Sequence, residues 1–532
     1  MTDATNSTAV LIAGAGPVGL ALACELGRYG VDCILIEKRD GTIALPKMSA
    51  VSARNMEFCR RWGIAEAVRS AIWPESHAGD FIYADTLCGT ELARVRRPPT
   101  AEWGKLDYTP EGGCQCPQIY FDPILARHAK SLASVKLRYL TRLDGFDQDA
   151  AGVRAHVTNV ATGEQETIAA RYLVGCDGPA GSVREALGIG LGGQGVVANS
   201  VNIFFRSPAL SGFHNKGWAR IYRLIDATGC WSELISIDGR ELWRLTVLDD
   251  VSSASAPQAA LARMAGGDFQ NDVLSVTVWE RRDFVAERYR QGRVMIAGDA
   301  AHECSPTGGL GMHTGIEEAI NLAWKLAARI EGWGGPGLVA SYEAERRPIA
   351  ARNVALATRT FNAIRAIPGW RGGLAPSGRP ADWPDLDLMA PTEQQKMDYA
   401  YEPSPICVAD APGPASSRPG ARAPHAWVAD GRSTLDLFGK GFTLLRFGDH
   451  APSAAPLVQA GHARGVPLRD VAIEDDSIAA LYGRMLVLVR PDGHVAWRGD
   501  AAADPGAIID RVRGAAAVAQ DTRPVGAVAE VT

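Results

Sequence analysis

Three glycines at fixed spacing, Gly14, Gly16 and Gly19, stand near the start of this 532-residue chain in the stretch Gly-Ala-Gly-Pro-Val-Gly. An aliphatic run at residues 10–12 precedes them and an apolar segment at residues 20–26 follows. Gly30, a second aliphatic run at residues 33–36 and the acid Glu37 complete the pattern. Strand, glycine turn, buried helix, strand and terminal acid, in that order, make a βαβ unit of the kind that binds a dinucleotide. Gly14 permits the tight turn, Gly16 lets backbone approach a pyrophosphate, and Gly19 lets helix and strand pack closely. The helix N-terminus then faces the phosphates. Glu37 is expected to accept a hydrogen bond from the adenosine ribose 2′-OH, which disfavours a 2′-phosphate there. Pro17, inside the turn, and Lys38, beside the acid, join the cofactor-binding set.

The apolar stretch at residues 8–26 is not read as a signal peptide or membrane span. Asp3 precedes it with no Lys or Arg, and Gly14, Gly16, Pro17 and Gly19 interrupt it. The expectation is a cytoplasmic protein with no membrane partner. Formal net charge is −5 and no basic run occurs, so no nucleic-acid partner is expected. The ten cysteines form no CxxC, and Cys114-Gln-Cys116 is too tight for a usual zinc pair, which suggests free thiols and no metal site. A second GxGxxG, Gly188 to Gly193, follows a helix-like stretch and leads into polar residues. That order is wrong for a dinucleotide turn and reads as a flexible connection. One dinucleotide site is therefore expected, and any second nucleotide must visit without its own βαβ unit.

A second ligand-binding layout lies at residues 292–319. A strand-like run stops at Gly298-Asp299. A short loop follows, with His302, Pro306, Gly308, Gly309 and Gly311, before helical spacing begins. An acid at a strand mouth, then glycines, then a helix start suggests a ligand held at a strand end and a helix N-terminus.

The glycine turn, this loop and the stretch "YLVGCDGPAGSVREALGI" at residues 172–189 together resemble the single-component flavin-dependent aromatic hydroxylases, the class A flavoprotein monooxygenases. The resemblance covers roughly residues 8 to 360. The family's Asp-Gly motif resembles Asp177-Gly178, with Ser182 and Arg184 beyond it, and its Gly-Asp motif resembles Gly298-Asp299. Where relatives often carry Gln, Leu-Glu and Leu, this chain has Gln118, Phe121-Asp122 and Leu125.

The resemblance implies noncovalent FAD. Gln118 and Asp177 would belong to its site, and Asp299 would accept charge-assisted hydrogen bonds from ribityl hydroxyls. Gly308, Gly309 and Gly311 would bring backbone to the isoalloxazine edge. The amides of Gly311 and Met312 would face flavin N1 and O2 at a helix N-terminus. Pro306 would lie near the reactive flavin carbon on the oxygen side. Arg54, resembling an Arg after a crossover loop, would contact FAD or lie on the nicotinamide path. Pro306 and Arg54 are the residues assigned to catalysis. His313 replaces an Asn common in relatives and is expected to be a helix-cap side chain; His302 is expected to be a structural hydrogen-bonder.

The implied activity has two halves. NADH or NADPH reduces FAD, and the reduced flavin traps O2 as a C4a-hydroperoxide that hydroxylates a phenolic or other small aromatic substrate. Two alternatives stay open. One is Baeyer–Villiger-type or polyketide oxygenation with the same cofactor. The other is a binding protein on this fold that no longer uses flavin, against which the phosphate glycines, Glu37 and Asp299 argue. Larger phenol hydroxylases carry an Asp shortly before the Arg that matches Arg54. This chain has Ser49 near that place, so the base is absent or replaced; His77, His214 and Tyr222 are candidates to assist.

The expected fold class is α/β. A Rossmann-like FAD-binding domain at 1–365 is interleaved with a mixed or antiparallel substrate sheet, at about 75–110 and 190–278. Phe205, Trp231 and Trp243 could line its cavity or form its core. Residues 366–417, rich in Pro and Gly, read as a wrapped linker. Residues 418–516 resemble the thioredoxin-like C-terminal domain of the phenol hydroxylase branch. No Cys follows Cys407, so this domain cannot do dithiol chemistry and is expected to be structural or to make dimer contacts. The tail at 517–532 is expected to be mobile.

Overall fold

The computed structural model describes residues 6–43, 47–102, 106–371, 383–386, 389, 391–409, 414–448 and 450–516. The expected tail at 517–532 and parts of the expected linker lie outside the described residues.

The strand Ser7–Ala13 is central in the first sheet. It pairs in parallel with Cys33–Ile36 on one side and Gln165–Gly175 on the other. Val135–Arg138 and Val294–Ile296 extend the parallel set outward. Both faces of this sheet are covered, which explains why Val10, Leu11 and Ile12 form a continuous apolar run. Helix Pro17–Tyr29 follows the turn and ends at Gly30 in the left-handed conformation, φ 80°. Helix Gly311–Glu331 packs beside it.

The second sheet has eight strands in the order His302–Glu303, Asp272–Ala286, Leu191–Arg206, Leu242–Leu248, Gly229–Ser236, Ile221–Asp226, Phe81–Ala84 and Glu91–Val95. Its pairing is antiparallel except between Ile221–Asp226 and Phe81–Ala84. The second GxGxxG is not a free connection: from Leu191 the chain runs straight into a 16-residue strand paired with Asp272–Ala286.

The register assigns the ambiguous aromatics. Ile203, Phe205, Trp243 and Leu245 project to one face and join Trp231 in a core backed by helix Pro257–Ala265. Phe205, Trp231 and Trp243 are core residues, not cavity lining.

The C-terminal sheet has the order Leu468–Ile473, Phe442–Phe447, Leu486–Val489, Val495–Gly499. The first pair is parallel and the rest antiparallel, with helices Ala455–His462, Asp476–Tyr482 and Pro505–Val512. That is the thioredoxin-like arrangement. This unit does not stand apart. Phe442 meets Trp324 and Trp333 in an aromatic cluster, and one apolar core spans both sides of the junction. Within the expected linker, Thr392 and Gln395 form a capping box for helix Glu393–Met397, and Tyr399 and Tyr401 are buried. Residues 391–409 of it form a packed strap. Among the described residues no helix is long and apolar enough to cross a membrane.

Candidate active site

A cleft of about 2710 Å³ lies between the two sheets. A single small-molecule pocket holds about 300–1,000 Å³, so this one has room for a dinucleotide and a second ligand together.

The glycine turn forms one wall. Gly14 has φ 104°, and a Cβ there would stand 2.3 Å from the Cys176 carbonyl oxygen. A Cβ on Gly19 would stand 1.9 Å from the Gly14 oxygen, so helix and strand meet as closely as backbone allows. Gly16 differs: a Cβ there would meet nothing within 4 Å. The space in front of it is open to the cleft, as approach of a ligand to the backbone requires. Glu37 also lines the cleft. Its Oε2 accepts from the Ala15 N–H at 3.0 Å and its Oε1 from the Arg39 N–H at 3.0 Å, which fixes the carboxylate beside the turn. Pro17 and Lys38 line the same wall.

The Asp-Gly and Gln elements face that wall. Asp177 Oδ2 accepts from the Ser182 hydroxyl at 3.2 Å and the Val183 N–H at 3.1 Å; its buried Oδ1 has no protein partner. Burial raises its pKa. Gln118 Nε2 donates to Asp122 Oδ2 at 3.0 Å, and Asp122 Oδ1 is also buried without a partner. Burial pushes Asp122 up to about 7, against the lowering effect of Gln118 and Lys47. Open backbone at Gly16 and two half-satisfied carboxylates describe a cradle made for a polyhydroxylated dinucleotide, and FAD fits it.

The loop at 298–312 forms the far end. Asp299 sits in the short turn Gly298–Ala300 and exposes its side chain to the cleft. Glu318 clamps this turn from the helix: its Oε2 accepts from the Gly298 N–H at 2.8 Å and lies 3.2 Å from His302 Nε2. Burial opposes a charge on His302, but the Glu318 carboxylate outweighs it and the pKa is raised. His302 is thus held in a structural hydrogen bond. Pro306, Gly309, Gly311 and Met312 all face the cleft, and the Gly309 N–H closes the loop on the Pro306 carbonyl at 3.0 Å.

Two expected roles are not found. Arg54 is not in the cleft: its guanidinium donates to Glu57 at 2.7 Å and to the Asp492 carbonyl at 3.1 Å, in the junction with the C-terminal domain. A buried carboxylate and a distant backbone oxygen hold it there more firmly than an open cleft could. His313 is not a helix cap, since helix Gly311–Glu331 has no side-chain cap. Its Nε2 stands 3.1 Å from the Ser52 N–H and 3.2 Å from the Ala50 carbonyl, tying the helix to the crossover segment. Burial, reinforced by Lys396, holds His313 down at about 4, so the ring is neutral.

A model of the FAD binding domain matches residues 7–357, and a model of the aromatic-ring hydroxylase C-terminal domain matches residues 416–517. The chain belongs to the FAD-dependent aromatic-ring hydroxylases. It is 34% identical to a putative polyketide hydroxylase of Streptomyces halstedii, over 93% of this chain and 94% of the relative. Among solved structures it is similar to the rebeccamycin biosynthetic enzyme RebC with reduced flavin, with TM-score 0.90 and 39% identity, covering 96% of this chain and 99% of that one. It is also similar to aklavinone-11 hydroxylase in complex with FAD and aklavinone, with TM-score 0.82 and 30% identity, covering 96% and 99%.

In this hydroxylase the cleft has two contributors that the sequence did not announce. Glu393, in the strap, reaches back to accept from the Ala53 N–H at 2.9 Å and pairs with Lys396 at 2.7 Å. Burial opposes its ionisation, but Lys396 and the Ala53 amide outweigh that and hold it at about 2. Thr392 ahead of Gln395, three residues on, is the capping signal that could have placed a helix there. The second contributor is the face of the substrate sheet, where Arg223, Glu233, Arg244 and Arg281 turn inward. Of the candidate bases, His77 lines the cleft. His214 and Tyr222 lie outside it, with Tyr222 donating to the Gly217 carbonyl at 2.5 Å.

Proposed function

We propose that this hydroxylase uses NADH or NADPH and O2 to hydroxylate a ring-fused aromatic substrate. One observation carries the reading: a single cleft joins the glycine turn, the Asp299–Met312 loop and the buried face of the second sheet. Bound FAD would supply the electrons and activate the oxygen. The chain's own residues divide the remaining work. Gly14, Gly16, Pro17 and Gly19 take the pyrophosphate, while Glu37 and Lys38 take the adenosine end. Gln118, Asp177 and Asp299 hold hydroxyl-bearing parts of the chain between. Gly311 and Met312 present backbone amides to the ring edge, Gly309 keeps its own backbone close without a side chain in the way, and Pro306 borders the reacting side. Enclosure by the strap and the sheet keeps water from the reacting centre, which oxygen transfer requires. His77, whose pKa burial and Arg240 lower, is neutral near pH 7 and suited to accept a phenolic proton.

The ring-fused substrate is supported by the relatives, a polyketide hydroxylase and two enzymes named for rebeccamycin and aklavinone. It is supported also by a cleft larger than a dinucleotide alone requires. The test is a panel of mono- and polycyclic phenols screened for stimulated NAD(P)H oxidation, with product mass measured. A gain of one oxygen atom on a polycyclic compound is expected. Oxygen gain confined to single-ring phenols would overturn the substrate size. A purified protein that is colourless and refuses added FAD would overturn the activity.

A further inference from the structure

The apolar core of the substrate sheet continues to the cleft wall as a stack of three rings. Strand side chains alternate between faces. Asn202, Arg223, Arg244 and Thr246 face the cleft and are buried there. Trp243 points the other way, into the core, and its indole N–H donates to the Ser207 carbonyl at 3.2 Å. Trp218 lies parallel to Trp243, with ring centroids 5.4 Å apart and planes 5° apart. His77, which lines the cleft, stacks in turn on Trp218 at 4.5 Å and 16°.

Trp218 is itself held. It stands in the loop before strand Ile221–Asp226, and the Tyr222 hydroxyl brackets it. That hydroxyl accepts from the Ala219 N–H at 3.0 Å and donates to the Gly217 carbonyl at 2.5 Å. The backbone is therefore fixed on both sides of the indole.

His77 is closed in elsewhere too. Trp73 meets it edge-on at 5.8 Å and 87°. Gly239, at φ 67°, brings backbone against the ring: a Cβ there would stand 3.3 Å from Nδ1. Nδ1 is buried without a hydrogen-bond partner, and Nε2, which also has none among the described residues, is left for the cleft. Arg240 acts on the ring from the Gly239 turn. Asp238 of that turn accepts instead from the Arg240, Glu241 and Leu242 amides at 2.9, 3.0 and 2.9 Å. Glu75, on the loop of His77, is exposed, and Lys216, on the loop of Trp218, donates to the Gly89 carbonyl at 2.6 Å. A catalytic imidazole is usually oriented by a hydrogen bond at its far nitrogen. Here that bond is missing, so ring contacts must set the orientation.

Resting on the monooxygenase reading with His77 as its proton acceptor, we propose that Trp218 is the positioning residue of that base: it sets the imidazole plane with Nε2 in the cleft and offers its ring face to the imidazolium formed there. In the step, the phenolic O–H bond breaks and its electron pair stays on oxygen. An Nε2–H bond forms, and Nδ1 keeps its own hydrogen. The substrate leaves the step as an electron-rich phenolate. Burial and Arg240 both oppose the new positive charge, whereas an indole is the aromatic face that best holds a cation.

Magnetic resonance titration of the histidine-labelled, full-length, FAD-loaded protein reads His77 directly, with His77→Gln assigning its signal. Trp218→Leu keeps apolar cover but removes the ring face. The imidazolium loses support, so the His77 pKa is expected to fall, by about threefold in the acid constant. Trp218→Phe, which keeps a face, is expected to stay close to the wild type. Tyr222→Phe loses the bracket without emptying the core and is expected to shift His77 the same way by less. With an accepted phenol, the acid limb of kcat/KM in Trp218→Leu is expected to move to lower pH together with the titration. A titration unchanged or raised in Trp218→Leu overturns the proposal, as does Trp218→Phe falling as far as Trp218→Leu, or an acid limb that stays put while the titration moves. If Trp218→Leu fails to hold FAD, an unchanged titration in Tyr222→Phe overturns it. The titration needs no turnover. A shifted titration beside a phenol panel that yields no oxygenated product would uphold the stacking and count against the monooxygenase reading.

Discussion

Arg490 and Glu345 meet as a fully buried bidentate ion pair, with N–O distances of 2.6 and 2.9 Å, across the junction between the C-terminal domain and helix Gly337–Arg365. Lys325 reaches the same carboxylate at 2.7 Å from helix Gly311–Glu331, whose first turn borders the cleft. Asp492 adds bonds from Asn321 at 3.3 Å and Trp324 at 3.2 Å. The C-terminal domain therefore grips the helix that carries Gly311 and Met312. Removing one partner of a buried pair leaves an uncompensated charge and costs roughly 3–5 kcal/mol. Arg490→Met is expected to lose about that much in denaturant unfolding of the FAD-loaded protein, and to release FAD more readily. Unchanged stability and FAD retention would show the junction to be incidental.

Asp299 carries a separate expectation. Asp299→Ala should weaken FAD binding by roughly 1.5–3 kcal/mol, the worth of a hydrogen bond to a charged group, or about one to two powers of ten in Kd. Fluorescence titration of the apoprotein with FAD measures it. An unchanged Kd would remove Asp299 from the cofactor site.

Asp122 makes stability depend on pH. Its folded pKa of about 7 lies above the ordinary value of 3.8, so the folded state favours the protonated carboxyl. That contribution is complete below pH 3.8 and is lost as pH rises through 7, at most about 4 kcal/mol. Asp122→Asn should flatten this slope in the FAD-free protein between pH 4 and 7. A slope identical to that of the wild type would show that other groups set it.

His313 acts with the opposite sign. Its folded pKa of about 4 lies below the ordinary 6.5, so stability is lost as pH falls from 6.5 toward 4, by roughly 3 kcal/mol at most. His313→Asn should remove that acid-side loss while keeping FAD bound at pH 7.5. Loss of FAD in this variant at neutral pH would mean that the ring's tie to the crossover segment is indispensable.

The parts of the site that sequence made legible are local ones. Gly14, Gly16, Gly19 and Glu37 fall within one βαβ unit, so order and spacing alone carry the geometry. Gly298-Asp299 and the glycines before Met312 are legible for the same reason. Arg54 was misplaced because its partner oxygen belongs to Asp492, 438 positions along the chain, and nothing near Arg54 signals it. His313 was misread because a polar residue in a helix's first turn looks like a cap whether or not a distant strand claims it. Phe205 and Trp243 stayed ambiguous because alternation gives two faces without saying which one is covered by protein and which by ligand. The register to neighbouring strands decides that, and it is non-local.

The covered polar face of the substrate sheet separates two demands that usually compete. Val201, Ile203, Trp243 and Leu245 hold the sheet on helix Pro257–Ala265 through its other side, and the side chains between them contribute little to that core. Positions 202, 223, 244, 246 and 281 lie off that core, so changes there that keep the Arg223–Glu233 and Asn202–Thr246 pairs matched leave the apolar side as it is. New ring systems would be accommodated by changing alternate letters of four strands, while the flavin cradle and the fold stay as they are.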